Sequence, residues 1–393
     1  RLENLPESAR WYPGAGLYRN VHLIITEDAY IPVWGTYITT PSVNEKFAKV
    51  NVRTKVVLPE GADPAKYSVE TSVWNPNKQK LTAVRTSLAQ MKYNNNQAEQ
   101  EFVIQAPSLW SPEMPALYSA ETRLYEGDKL KDIYTTPFGI RSIEIIPDKG
   151  FFLNGKRTVF KGVCNHHDLG PLGAAVNDAA IRRQIRILKD MGCNAIRTSH
   201  NMPAPELIRA CDEMGMMIMA ESFDEWNVAK CKNGYNLLFD EWAEKDLVNL
   251  LHNFRNNPSV VMWCIGNEVP NQWNEGDCKI AKWLQDICHR EDPTRPVTQG
   301  MDAPDAVVNN NFAAVMDVAG FNYRPFKYKI NYKKLPQRIV LGSETASTVS
   351  SRGVYKFPVE RKAMAKYDDH QASSYDVEHC GWSNLPEDDF IQH

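Results

Sequence analysis

Two glutamates that close apolar segments are the residues of this chain best suited to chemistry. Six apolar residues follow Ser259, and a Gly-Asn pair then leads to Glu268. Glu344 closes a second apolar run, which begins at Ile339. A short, continuously apolar segment that ends in polar residues is typical of a buried parallel strand. We therefore expect both carboxylates at the carboxyl ends of strands, where α/β barrels keep their active sites.

A pair of carboxyl groups that face one pocket can cleave a glycosidic bond. One group protonates the leaving oxygen as a carboxylic acid, while the other attacks the anomeric carbon or activates a water molecule. Asn267, directly before Glu268, places a neutral amide beside the first acid. The alternative is that Glu268 and Glu344 are unrelated acids at the ends of two barrel strands.

The segments that must position these glutamates alternate between strand and helix patterns from residue 144 onward. Apolar runs predict seven strands, at residues 159–163, 194–200, 216–221, 260–267, 296–299, 318–323 and 339–344. Helical spacing is clearest at residues 178–191, 205–214 and 239–254. These repeats predict a truncated (β/α)8 TIM barrel over residues 144–393. A barrel without its eighth strand has two unpaired edges, so we expect the chain to be a fragment.

Residues 37–143 follow the period-two pattern of strands and carry no catalytic constellation. Short alternating segments are separated by turn clusters such as residues 75–77 and 94–96. Six or seven such strands in about a hundred residues predict an immunoglobulin-like β-sandwich. Residues 1–36 contain a Gly-Ala-Gly turn that feeds one or two strands, too few for a domain. We expect them to be the end of a larger β domain.

The charge balance and the cysteine pattern exclude several classes of partner. Lys and Arg number 45 against 48 Asp and Glu, so the chain lacks the electrostatic footprint of a nucleic-acid or membrane-surface binder. No run of about eighteen apolar residues exists, which argues against a membrane-spanning helix. The eight cysteines form no Cys-x-x-Cys pair and are expected to be buried free thiols. A neutral substrate fits this balance better than a charged polymer.

Further polar residues at predicted strand ends are candidates for binding. His200 closes the second strand and Asp168 follows the first, and both are expected to bind sugar hydroxyls or else to serve packing. Asp224 and Trp226 follow the third strand as additional candidates, with His167 in a supporting position. A zinc site is disfavoured because adjacent histidines in an extended segment point to opposite faces. We expect no metal in the site and no cofactor, while a structural Mg or Na ion stays open.

The sequence resembles glycoside hydrolase family 2 along its whole length. Residues 10–19 (RWYPGAGLYR) resemble the end of the family's N-terminal sugar-binding jelly roll. Residues 109–113 (LWSPE) and 138–141 (FGIR) resemble the immunoglobulin-like sandwich that follows. The most specific matches are residues 194–200 (NAIRTSH) and residues 255–268, which are close to the family's two signatures.

The resemblance implies a retaining mechanism with Glu268 as the acid/base and Glu344 as the nucleophile. In such a pair the carboxyl groups lie about 5–5.5 Å apart. The resemblance also implies that Asn267 donates to the sugar 2-hydroxyl and that Tyr323 hydrogen-bonds the nucleophile. Arg197 would keep Glu344 ionised, although a purely structural ion pair has the same geometry.

Within the family, residues 165–173 and 223–226 resemble the β-galactosidase branch. The alternatives are a β-glucuronidase, a β-mannosidase or a catalytically inactive carbohydrate-binding protein. A glucuronidase must pair the substrate carboxylate with a cation, usually from an Asn-x-Lys segment late in the barrel, and no such segment occurs between Glu344 and residue 393. We expect a carbohydrate partner, with a homo-oligomer left open. The sequence does not reveal the compartment, although a polymer-derived glycan would favour the periplasm or secretion over the cytoplasm.

Overall fold

The fold consists of a β-sandwich and a barrel-like parallel sheet, and an N-terminal segment runs over the barrel. The computed structural model describes residues 3–11, 13–90 and 97–345. Cys380 and the part of the expected barrel beyond residue 345 lie outside these ranges. The sequence predicts both the sandwich and the barrel, and both are confirmed.

The sandwich is made of two antiparallel sheets. Its strands are β1 Thr36–Val43, β2 Phe47–Lys55, β3 Tyr67–Trp74, β4 Lys80–Ser87, β5 Gln97–Gln105, β6 Tyr118–Glu126 and β7 Lys129–Phe138. One sheet has the order β1-β2-β5 and the other the order β4-β3-β6-β7. Val50, Val52 and Phe102 are buried in the core between them. The sequence pattern did not predict β1, which contains a register shift, or β7, whose side chains are mostly exposed or half-buried.

A small antiparallel sheet connects the sandwich to the barrel. It contains β8 Ile143–Ile146, β9 Gly150–Leu153 and β10 Lys156–Arg157. Phe151 and Leu153 pack against Ala195, Met217 and Val261, which lie at the starts of three barrel strands. The small sheet therefore covers the amino-terminal end of the barrel, opposite to the end expected to carry the glutamates.

Seven parallel strands in the described residues form the barrel sheet, and each pairs with the next strand along the chain. They are β11 Gly162–Asn165, β12 Ala195–Thr198, β13 Met217–Glu221, β14 Val260–Asn267, β15 Val297–Met301, β16 Val318–Asn322 and β17 Val340–Glu344. The helices are α1 Asp178–Asp190, α2 Pro205–Met214, α3 Phe239–Phe254, α4 Cys278–Glu291, α5 Pro304–Asn309 and α6 Tyr328–Lys334. The first strand begins at Gly162, later than predicted, because its partner begins at Ala195.

The apolar patterning of the barrel explains its elements. In α1, Ile181, Ile185 and Leu188 recur at helical spacing and are buried. Asn177 caps this helix by accepting a hydrogen bond from the backbone N–H of Ala180 at 3.0 Å. All eight residues of β14 are buried, as expected for a strand that is covered on both faces. The strand that leads to the first glutamate is therefore fixed by the core.

The sandwich is attached to the barrel by an apolar cluster and by polar contacts. Trp110 is fully buried, and its indole N–H donates to the backbone oxygen of Asp212 at 2.9 Å. Arg141 donates to the backbone oxygen of Pro258 at 2.7 Å. Gly139 approaches the same proline so closely that a Cβ atom would lie 2.5 Å from its side chain. The Gly-Ile-Arg part of the 138–141 motif thus serves the junction between the two domains.

The N-terminal segment lies against the carboxyl end of the barrel. Residues 3–11 and 13–29 form no helix or strand. The strand predicted after the turn at residues 14–16 is wrong for the described chain, because residues 17–25 have no neighbouring strand with which to pair. Four of its apolar side chains are more than 80% exposed, those of Leu17, Val21, Leu23 and Ile25. That residues 1–36 belong to a larger β domain stays a prediction.

Two further findings concern the described residues. Within these ranges, no helix is both long and apolar enough to cross a membrane. The seven cysteines that the structure describes are free thiols, of which Cys211, Cys264 and Cys288 are buried.

Candidate active site

Polar side chains from five strand ends meet at the carboxyl end of the barrel. They are Arg197 of β12, Glu221 of β13, Asn267 of β14 with Glu268 directly after it, Asn322 of β16 with Tyr323 directly after it, and Glu344 of β17. Parallel strands end at the same edge of a sheet, so residues that are far apart in the sequence come within hydrogen-bond distance here.

Glu268 and Glu344 lie on either side of the side-chain amide of Asn322. Nδ2 of Asn322 is 2.9 Å from Oε1 of Glu268 and 2.9 Å from Oε2 of Glu344. Because both oxygens lie 2.9 Å from one nitrogen, they are at most twice that distance, about 5.8 Å, apart. This limit applies to one oxygen of each group and is compatible with the separation of about 5–5.5 Å between the carboxyl groups of a retaining pair. The structure therefore brings together the two acids singled out from the sequence.

The carboxylate of Glu344 has two further hydrogen-bond donors. Nη1 of Arg197 donates to Oε2 at 2.9 Å, and the hydroxyl of Tyr323 donates to Oε1 at 3.0 Å. Burial and the charges of Glu344 and Glu268 raise the pKa of Tyr323 above its ordinary value, so its hydroxyl stays a donor. A cation and a hydroxyl are suitable partners for an ionised carboxylate.

Arg197 lies between three acceptors beneath the site. Besides Glu344, it contacts Oε2 of Glu221 through Nε at 2.5 Å and Oδ1 of Asn267 through Nη2 at 3.0 Å. Glu221 is fully buried and also bonds Nδ1 of His200 at 2.7 Å. Burial alone would raise the pKa of Glu221, but Arg197 and His200 lower it below its ordinary value. Glu221 was missed in the sequence, although it too closes an apolar run.

The neighbours of Asn267 fix the orientation of its amide. Oδ1 accepts from Arg197 and from Asn322, both at 3.0 Å. Nδ2 donates to Oδ1 of Asp224 at 3.0 Å and lies 3.3 Å from Nε2 of His200. Three residues predicted to bind the sugar, Asn267, His200 and Asp224, are therefore held side by side next to the glutamates.

Glu268 has the surroundings of a proton donor. Burial raises its pKa above the ordinary value, and the negative charges of Asp302 and Glu344 act in the same direction. The hydrogen bond from Asn322 and the positive charge of Lys230 act in the opposite direction without cancelling the rise. A glutamate with a raised pKa keeps its proton closer to neutral pH, which is what general acid catalysis requires.

Gly300 in β15 leaves space for the side chains of Arg197, Asn267 and Asn322. A Cβ atom at this position would lie 2.8 Å from Nη2 of Arg197 and 2.9 Å from Oδ1 of Asn322. Its carbonyl oxygen accepts a hydrogen bond from the backbone N–H of Glu268 at 2.7 Å. Glu268 has a φ of 44°, which residues other than glycine seldom adopt. This backbone turn directs the side chain of Glu268 away from the strand and over the site.

The N-terminal segment adds a cation that no local sequence pattern reveals. Arg10 donates to the two carboxylate oxygens of Asp224 at 2.8 and 3.1 Å, and its Nη1 lies 3.7 Å from Oε2 of Glu268. Nζ of Lys230 lies 2.9 Å from the same aspartate. Burial alone would raise the pKa of Asp224, but the Arg10 hydrogen bond and the charges of Lys230 and Arg10 hold it below its ordinary value. Asp224 is therefore an ionised acceptor at the edge of the site.

The two histidines at 166 and 167 have different neighbours. The ring of His166 stacks on Trp11 with 5.0 Å between centroids and meets His200 edge-on at 5.1 Å. The ring of His167 stacks on Tyr18 at 5.2 Å and so supports the N-terminal segment. His166, rather than the predicted His167, is therefore the one beside His200. No group of three or more His, Cys, Asp or Glu side chains in the described ranges could hold a metal ion.

Asp168 and Trp226, two further predicted residues, contact the backbone around them. Asp168 is exposed and accepts from the N–H of Gly170 at 2.6 Å, which stabilises a local turn. Trp226 is fully buried, and its indole N–H donates to the backbone oxygen of Ile265 at 2.8 Å. Trp226 thus supports the strand that carries Asn267. Because its side chain is fully buried, it is inaccessible to a ligand. A direct sugar contact of Asp168 stays a prediction.

The family models match both domains. The model described as "Glycosyl hydrolases family 2, TIM barrel domain" matches residues 144–377, and "Glycosyl hydrolases family 2" matches residues 30–141. A β-galactosidase from Bacteroides ovatus is 36% identical over 428 aligned positions, which cover 99% of this chain and 50% of that protein. A protein from Formosa agariphila named putative β-glucuronidase is 33% identical over 359 positions, covering 91% of this chain and 32% of that protein.

Two solved structures of glycosidases are also similar to this chain. A glycosyl hydrolase family 2 member from Bacteroides cellulosilyticus has a TM-score of 0.81 at 36% identity, covering 87% of this chain and 44% of that one. A β-glycosidase from Bacteroides vulgatus has a TM-score of 0.78 at 34% identity, with 89% and 43% covered. The chain belongs to glycoside hydrolase family 2. It spans half or less of the length of these relatives.

Proposed function

We propose that this chain carries the catalytic site of a retaining exo-β-glycosidase. In the first step, Glu344 attacks the anomeric carbon and the glycosidic C–O bond breaks. The electron pair of that bond goes to the aglycone oxygen, which takes the proton of Glu268 and leaves as an alcohol. In the second step, water gives a proton to Glu268 and bonds to the anomeric carbon, and the electron pair of the glycosyl ester returns to Glu344. These steps balance with water as the only co-reactant, so no cofactor is required.

The observation that carries the proposal is the shared contact of both carboxylates with Nδ2 of Asn322. It limits the distance between Oε1 of Glu268 and Oε2 of Glu344 to about 5.8 Å. Such a gap favours direct attack by one carboxylate over activation of an interposed water molecule. The raised pKa of Glu268 and the donors around Glu344 support the assignment of acid/base to the former and nucleophile to the latter.

A terminal β-galactoside is the substrate that we propose first. It is supported by the B. ovatus relative, which is named a β-galactosidase and aligns with nearly the whole chain. A β-glucuronide is the second candidate. The F. agariphila relative bears the name putative β-glucuronidase, and Arg10 and Lys230 place two positive charges around Asp224 beside Glu268. A sugar carboxylate needs a cation of this kind.

The test uses the full-length protein with chromogenic β-galactoside, β-glucuronide and β-mannoside. We expect hydrolysis of one of them, and its loss in Glu344→Gln and Glu268→Gln. A 2-deoxy-2-fluoro glycoside of the preferred sugar should label Glu344 covalently, which peptide mass spectrometry detects. The first sugar product seen by NMR should have the β configuration. An α product would refute the retaining assignment, label on another residue would refute Glu344 as the nucleophile, and unchanged turnover in Glu344→Gln would refute the site itself.

A further inference from the structure

The side chain of Asn322 is buried between the two glutamates and held in one orientation. The residue is fully buried, and its Oδ1 accepts a hydrogen bond from the hydroxyl of Ser343 at 2.8 Å. The three atoms around its Nδ2 are oxygens of Asn267, Glu268 and Glu344. Turning the amide by half a rotation would place its oxygen against these acceptors. The –NH2 group must therefore face the carboxylates.

The –NH2 group has two hydrogens for three acceptors. Nδ2 lies 3.0 Å from Oδ1 of Asn267 and 2.9 Å from one oxygen of each glutamate. One hydrogen bonds Asn267, whose amide also bonds Arg197. The other lies within reach of both catalytic carboxyl groups. It can bond either of them without a movement of the Asn322 side chain.

The proposed reaction moves a negative charge between these same two groups. Before the first step, Glu344 is ionised and Glu268 carries a proton. After it, Glu344 is a neutral ester and Glu268 is a carboxylate. The second step reverses both changes. A donor that bonded only one of the carboxylates would stabilise the state in which that group carries the negative charge. It would therefore disfavour the step that moves the charge to the other group.

We propose that Asn322 is a catalytic residue that transfers one hydrogen bond from Glu344 to Glu268 as the first step proceeds and returns it in the second. This role rests on the proposed function. The donor is fixed before the reaction, so the charge moves without reorganisation of the site. Stabilisation lost at Glu344 is regained at Glu268. Asn322 thereby assists proton transfer to the leaving group without weakening the nucleophile.

The expected signature is a changed dependence on the leaving group. A dinitrophenolate leaves without a proton, whereas a methoxide must receive one from Glu268. In Asn322→Leu, which keeps the shape but removes the donor, we expect kcat/KM for a methyl β-glycoside to fall about 10- to 100-fold, the range for one hydrogen bond to a charged group. We expect kcat/KM for the 2,4-dinitrophenyl β-glycoside of the same sugar to stay close to that of the wild type.

The experiment compares the two glycosides in the full-length wild type, Asn322→Leu, and Gln299→Leu as a matched control. Gln299 is a fully buried amide on the adjacent strand, and its side chain bonds none of the described residues. Gln299→Leu should leave the ratio of the two kcat/KM values unchanged. An equal loss on both substrates in Asn322→Leu, or no loss on either, overturns the proposal. Should Asn322→Leu fail to fold, Ser343→Ala decides instead: it keeps both hydrogens but frees the amide, and the proposal requires a smaller loss confined to the methyl glycoside.

The outcomes separate this inference from the proposed function. An active wild type that Glu344→Gln inactivates, together with a uniform loss in Asn322→Leu, overturns only the role of Asn322. A wild type that hydrolyses no glycoside overturns both. A loss confined to the poor leaving group supports both.

Discussion

Replacing Glu221 by Gln would test how strongly the buried ion network beneath the site stabilises the barrel. The Glu221 carboxylate is fully buried and contacts Nε of Arg197 at 2.5 Å and Nδ1 of His200 at 2.7 Å. A glutamine keeps the shape but removes the charge, and its –NH2 group must face one of these two donors. Arg197 then retains Glu344 as its carboxylate partner.

The size of the effect follows from this arrangement. Removing one partner of a buried ion pair costs about 3–5 kcal/mol. Because Arg197 keeps a second carboxylate, we expect the lower end, about 3 kcal/mol of unfolding free energy. At roughly 2–4 °C per kcal/mol for a domain of about 200 residues, the midpoint of thermal unfolding should fall by about 6–12 °C.

Thermal unfolding followed by tryptophan fluorescence measures this shift. The matched control is Glu241→Gln, which removes an exposed ion pair with Lys245 and should cost about 0–1 kcal/mol. The pKa of Glu221 is lowered in the folded protein, so its stabilisation is complete above the unfolded-state pKa and is lost as the pH falls through the folded-state pKa. The difference between wild type and Glu221→Gln should therefore shrink in acid. Equal midpoints at neutral pH would refute the reasoning.

Three further predictions concern the junction, the proton donor and the packing of the site. Trp110→Ala should lower the unfolding free energy by about 3–5 kcal/mol in a denaturant titration, because it empties a fully buried indole site, and a loss below that of a surface substitution would contradict it. Lys230→Met removes a charge that lowers the pKa of Glu268, so the alkaline limb of the pH profile of kcat/KM should move to higher pH; a limb that moves down would be evidence against Glu268 as the acid. Gly300→Ala should reduce kcat/KM about 100-fold, since its methyl group displaces Arg197 and misplaces the site, and this overpacking should also lower the unfolding free energy by about 1–3 kcal/mol. Wild-type kinetics in Gly300→Ala would show that the surrounding side chains can accommodate the methyl group without a loss of activity.

The parts of the fold set by local patterning could be predicted from the sequence. The continuous apolar run before Glu268 and the helical spacing of α1 specify buried elements whatever the rest of the chain does. Since parallel strands share one carboxyl edge, the pairing of Glu268 with Glu344 followed from the strand pattern alone. The contacts of Arg197 and Tyr323 with Glu344 had been implied by the family resemblance, and both are present in the structure.

The rest of the site depends on contacts that no local pattern encodes. Arg10 and Asp224 are separated by 214 positions in the sequence. The residues around Arg10 give no indication that it pairs with this aspartate. Lys230 lies in a loop whose conformation depends on tertiary contacts rather than on a local sequence pattern. Asn322 could have been recognised as the residue before Tyr323 at a strand end, and Glu221 as the acid closing the third apolar run. The expected strand near residues 17–25 failed for the opposite reason, because a strand requires a partner that its own sequence does not supply.

The pairing of the barrel strands in chain order has a consequence for how the site forms during translation. Each new strand can join the growing edge as soon as it emerges, and Glu344 belongs to the seventh in the described sheet. Elongation from position 268 to position 344 takes about 4–15 s at typical rates of synthesis. Throughout that interval the nascent chain holds its acid without its nucleophile. Arg10 is made before Asp224 and cannot bind its counter-ion until the loop after β13 has been made, so segments that are translated at widely separated times meet in one site.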